Sequence, residues 1–121
     1  MSENKDYIVE NVEKGSVNIS EEVVSAIAAV AVSEVEGVVG LSSGFTADLA
    51  EMLGKKNLSK GVKLSIVDSV VTIESNVIVM YGSEIPSVAN AIQENVISAV
   101  ESMTGLKVQA VNINVCGISA K

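Results

Sequence analysis

The feature that most constrains the fold is a pair of runs, residues 62–67 and 70–81, that alternate apolar and polar side chains around Asp68-Ser69. With Asp68-Ser69 as the turn, Val67 stands opposite Val70, Ile66 opposite Val71, Leu64 opposite Ile73 and Val62 opposite Ser75. The other face then pairs Ser65 with Thr72 and Lys63 with Glu74. A single register yields one apolar face and one opposite-charge pair, and a slip of one residue would invert every side chain. A hairpin is expected here, although the absence of Gly counts against a tight type I′ loop. Residues 77–80 are apolar on both faces, as in a central strand covered twice or one whose outer face meets a partner.

Two helical patterns flank this hairpin. Ser20 is a candidate N-cap, and Glu21 and Glu22 follow it where the helix dipole favours anions. Val23, Ile27 and Val30, with Val24, Ala28 and Ala31 beside them, predict a helix over residues 21–34. A second helix is predicted over residues 83–103, with Pro86 in its first turn and Gly105 beyond its end. Its stripe is Ile85, Val88, Ala89, Ile92, Val96, Val100 and Met103. Strands are expected at residues 15–19, 37–41 and 106–118, with a bulge near Ala110 where the apolar phase shifts by one. Residues 1–14 read as a mobile tail, residues 15–121 as one domain, and residues 46–53 as a short helix. The economical architecture is an α+β two-layer sandwich: two long helices packed on one face of a mainly antiparallel sheet.

Composition narrows the chemistry. The 121 residues carry a net charge of -7, no His, one Cys, and eight basic residues that are all Lys. Lacking Arg, the chain has no bidentate fork for phosphate or guanine, and its acidity opposes binding to nucleic acid or to an anionic bilayer. Lacking His, it has neither the commonest general base nor the commonest metal ligand. Phe45, Tyr7 and Tyr81 are too few to stack single-stranded bases. The longest apolar run, residues 26–32, falls far short of the roughly 20 residues that span a bilayer. The polar N-terminus does not read as a signal peptide, and a lone Cys fits a reducing compartment.

No catalytic constellation emerges. Glu34 with Glu36, and Asp68 with Glu74, are carboxylate pairs best read as solvated charges. Gly54-Lys55-Lys56 lacks phosphate-loop spacing, and Cys116 lacks a His partner. Asn112 and Asn114 place two amides on one strand face, as a binding surface or as ordinary solvent-facing residues. Lys55, Lys56, Lys60 and Lys63 lie in an acid-free stretch of an acidic protein and are the candidate partner contact, suited to an acidic surface or to another copy. Phe45, Leu49, Met52 and Leu58 surround them and are read as core plugs. No catalytic, cofactor or metal residue is expected.

Three segments then carry a resemblance. They are Val17-Asn18-Ile19-Ser20-Glu21-Glu22 running on to Gly37-Val38-Val39-Gly40-Leu41-Ser42; Lys60-Gly61-Val62-Lys63 with the hairpin that ends at Tyr81-Gly82; and Ile85-Pro86-Ser87-Val88 through Met103-Thr104-Gly105-Leu106 to Val111-Asn112-Ile113-Asn114-Val115-Cys116-Gly117-Ile118. In this order they resemble the alkaline shock and general stress protein family of Gram-positive bacteria. The resemblance implies a small, cytoplasmic, non-enzymatic protein. It implies either a role in cell-envelope stress at the membrane, through self-association and a membrane-anchored protein partner, or control of a metabolic enzyme such as acetyl-CoA carboxylase.

Overall fold

A computed structural model describes residues 7–12, 14–42 and 61–120, the first of these as backbone only. Its elements are β1 (Tyr7–Val12), β2 (Gly15–Ser20), α1 (Glu21–Ser33), β3 (Val38–Leu41), β4 (Val62–Val67), β5 (Val70–Met80), α2 (Ile85–Thr104) and β6 (Lys107–Ser119). The chain is an α+β protein with two helices and a mainly antiparallel sheet. The short helix expected at residues 46–53 lies outside the described residues.

The hairpin forms in the expected register, from Val62 opposite Ser75 to Val67 opposite Val70. The turn departs from the expectation. Asp68 and Ser69 both take positive φ, 55° and 66°, which is the left-handed pair of a type I′ turn built without glycine. Asp tolerates this region because its short side chain bonds locally, and the flanking β-branched runs hold the strands together.

β5 is the central strand. β4 pairs antiparallel with residues 70–75 and β3 antiparallel with residues 77–79, sharing one edge. β6 runs parallel along residues 70–80 on the other edge. At the junction of β3 and β4, the Asn76 amide donates to the Gly61 carbonyl and its carbonyl accepts from Ser42. Gly61 has φ of +89°, and a Cβ there would stand 2.5 Å from the Ser42 carbonyl oxygen, so no other residue fits. The parallel pair of β5 and β6, within a mainly antiparallel sheet, is a pairing the sequence did not specify. It follows from α2, whose 20 residues run back along the sheet and return the chain to the start of β5. The bulge expected near Ala110 falls at Gln109, and a second one, not expected, falls at Cys116.

Alternate positions of β5 (Val71, Ile73, Ser75, Val77 and Val79) are buried and join one core with Val24, Ala28 and Val32 of α1 and Val88, Ile92, Val96 and Val100 of α2. In α1 the buried face is Val24, Ser25, Ala28, Ala29, Ala31 and Val32, one step round from the expected stripe. Val23 and Val30 are exposed. Because α1 is apolar on nearly every side, periodicity could not choose the face; the small side chains did, by letting the helix approach its neighbours closely. In α2 the stripe holds from Val88 to Val100, but Ile85 and Met103 at its ends are exposed.

Ser20 caps α1 by accepting from the Val23 amide at 3.1 Å, and Gly105, at φ 79°, ends α2. From α2, Glu101 accepts from the Val108 amide at 2.9 Å and Gln93 donates to the Val111 carbonyl at 3.0 Å. These bonds occupy main-chain groups of β6 on either side of its bulge, one way of blunting a sheet margin. Tyr7–Val12, expected within a mobile tail, is a strand paired along its length with β2. The run Tyr7-Ile8-Val9 supplies β-favouring residues, and the cross-strand partner Ile19 stands opposite Ile8.

Candidate functional site

The described surface offers two places where side chains converge. The first is the sheet face turned away from the core. Lys63, Thr72, Glu74, Asn76, Asn112 and Asn114 stand on it at alternating register positions. The Asn114 side-chain amide donates both its protons, one to Glu74 Oε2 and one to Asn76 Oδ1, each at 2.8 Å. The two amides singled out in the sequence thus belong to an interlocked polar ladder, with Glu74 between Lys63 on one side and Asn112 on the other. The ladder turns apolar toward its far end, where Ile78 is half-buried and Met80 exposed. β5 there is central but its outer face is not covered by any described residue in the way its inner face is.

The second is the seam between the helices. α1 and α2 pack against each other, and the Asn95 amide donates to the Ala31 carbonyl at 2.8 Å. Outside that bond runs a groove of ≈ 370 Å³ lined by Ala26, Ile27, Val30 and Ala31 of α1, Ala99 and Met103 of α2, and Glu34 at its end. Val30 is 54% and Met103 68% exposed. Glu34 also lines an adjoining cleft of ≈ 390 Å³ with Glu36, Glu94 and Asn95. Helical periodicity alone puts Val30 and Met103 in the core, and the structure corrects this. Their signal is ambiguous in the sequence, since each helix carries more apolar positions than one buried face needs.

The other candidates separate. Lys63 is exposed on β4 opposite Glu74, while Lys55, Lys56 and Lys60 lie outside the described residues, as do Phe45, Leu49, Met52 and Leu58. Glu34 and Glu36 do share a cleft, joined by Glu94 of α2, which no local sequence pattern links to them. Asp68 sits in the turn, remote in register from Glu74. Cys116 is exposed, its thiol 3.8 Å from the Asn114 carbonyl. Among the described residues no group of three His, Cys, Asp or Glu is arranged to hold a metal ion. No helix among them is long and apolar enough to cross a membrane.

An aliphatic core, a polar ladder on one sheet face and an apolar groove between two acidic helices define a compact α+β domain with surfaces suited to contact. The chain belongs to the alkaline shock protein family, described as having a cell envelope-related function, whose model matches residues 9–120. It is 38% identical over 109 residues to the uncharacterized protein YqhY of Bacillus subtilis (strain 168), covering 90% of this chain and 81% of YqhY. It is 36% identical to the uncharacterized protein YloU of the same organism, covering 86% and 88%. Proteins of Streptococcus pyogenes named stress response regulator gls24 homolog are 27% identical, over 89% of this chain and 61% of theirs. Solved structures of MamM CTD variants share the fold at a TM-score of 0.50 and 15% identity, covering 80% of this chain and 96% of one such chain.

Proposed function

We propose that this chain is a non-enzymatic protein-binding domain of the cell-envelope stress response, acting in the cytoplasm by associating with further copies of itself and docking onto a membrane-anchored partner. The observation that carries the reading is the family match across residues 9–120, joined to described surfaces that offer shape and charge for contact. The stress-regulator names of the streptococcal relatives support it. We read the two helices as one layer on a single face of the sheet, since one alternate set of β5 residues shares its core with both. That arrangement leaves the opposite face and the helical surface as contact areas of the domain.

Charge separates the two surfaces. Lys63 and Lys107 stand on the sheet, and Lys55, Lys56 and Lys60 enter the chain between its strands. In this reading these lysines meet an acidic partner, and membrane association runs through that partner because the acidic chain repels an anionic bilayer. Changing Lys55, Lys56 and Lys60 together to Glu tests the contact. Partner binding is expected to weaken about tenfold or more while the melting temperature stays within about 2 °C. Unchanged binding would remove the lysines from the interface.

A further inference from the structure

The helical surface is electrostatically one-sided. Residues 21–42 carry four glutamates and residues 84–104 carry three, with no Lys or Arg in either stretch. Neither helix has a basic residue in its last turn, where cations are favoured, so the carboxylates have no countercharge on their own elements. Through this acidic surface runs the apolar groove, and Glu34 lines both it and the neighbouring carboxylate-lined cleft of Glu36 and Glu94.

We propose that the α1–α2 groove is the docking site of a basic amphipathic helix from another protein. This rests on the protein-binding reading above and adds a second contact surface, away from the lysines, with a partner segment of the opposite charge. From Ala26 to Glu34 the groove follows about 12 Å of helix, a little over two turns. That length takes apolar side chains of a third helix at i, i+4 and i+7, which would settle beside Val30 and Met103 as in other helix-in-groove complexes. Lysines or arginines on the flanks of that helix would face Glu34, Glu36 and Glu94. An acidic peptide is repelled by the same carboxylates. A bilayer surface, which is anionic, is repelled as well.

The test titrates the full chain with a fluorescent synthetic helix of ~18 residues, leucines on one face and lysines elsewhere, against a scramble of the same composition with no apolar face. The amphipathic helix is expected to bind saturably, one per chain, about tenfold tighter than the scramble. Val30→Ser with Met103→Ser leaves the charge unchanged and should abolish that preference. Glu34→Lys with Glu94→Lys should weaken binding about tenfold, and Lys63→Glu should leave it unchanged. Should the serine variant not fold, the lysine variant decides. Equal binding of helix and scramble overturns the proposal. So does a serine variant that instead breaks up self-association of a protein that ignores the peptide, since the occupant is then a second copy. Capture of protein partners from the host, repeated with the serine variant, separates the two readings. Partners that persist leave the protein-binding function standing and remove the groove from it; no partner for the unmodified chain removes the function itself.

Discussion

Asn95 and Ala31 join the two helices: the Asn95 side-chain amide, in the middle of α2, donates to the Ala31 carbonyl in the last turn of α1 at 2.8 Å. The last carbonyls of a helix lack intrahelical donors. Here the Val35 amide, which would serve Ala31 in a continuing helix, bonds Val32 instead at 3.2 Å. Asn95 therefore caps α1 from the side. Asn95→Ala is expected to cost about 1–2 kcal/mol in urea unfolding. Asn95→Asp should cost more, because it sets a carboxylate against a carbonyl beside Glu34, Glu36 and Glu94. Equal stability of the alanine variant would show that the bond contributes nothing net.

Ile92 is fully buried in the stripe that α2 turns to the core. Ile92→Ala removes its methyl and methylene groups and leaves a cavity, at a cost of about 2–5 kcal/mol. Chemical denaturation measures it, and a loss below about 1 kcal/mol would contradict the burial.

The hairpin turn points the other way. Ser69 holds φ of 66°, where a Cβ costs roughly 1 kcal/mol and Gly costs nothing. Ser69→Gly is expected to stabilise by about 0.5 kcal/mol, the relief exceeding the greater freedom of glycine in the unfolded chain. A lower melting temperature would show that Ser69 contributes something the turn geometry does not reveal.

Ser75 lies fully buried on β5 between Val62 and Ile113, and its hydroxyl has no hydrogen-bond partner among the described residues. An unmatched buried hydroxyl costs about 1–3 kcal/mol. Ser75→Ala should therefore raise stability by about 1 kcal/mol, read as a shift in the urea midpoint at constant slope. A fall instead would mean that the hydroxyl is satisfied in solution.

Local pairing was the most legible part of the fold. The Lys63–Glu74 register followed from alternation and the two-residue turn, since a slip of one residue would turn Leu64 and Ile73 to opposite faces. The parallel pairing of β6 with β5 was not legible, because β6 carries apolar residues on both phases and the crossover is non-local. The buried face of α1 was misplaced by one step because Val23, Val24, Ile27 and Ala28 are all apolar. That step moved Val30 from the core to the groove, and Met103, exposed at the end of the α2 stripe, lines the same surface. The amides of Asn112 and Asn114 were visible in the sequence, whereas the bonds from Asn114 to Glu74 and Asn76 depend on strands distant in the chain.

Capture of the tagged, crosslinked chain from its host, with the membrane fraction solubilised in detergent and the bound proteins identified by mass spectrometry, tests the central claim most directly. The account predicts recovery of further copies of the chain together with a membrane-anchored protein. Recovery of soluble enzyme subunits without any membrane protein would contradict it.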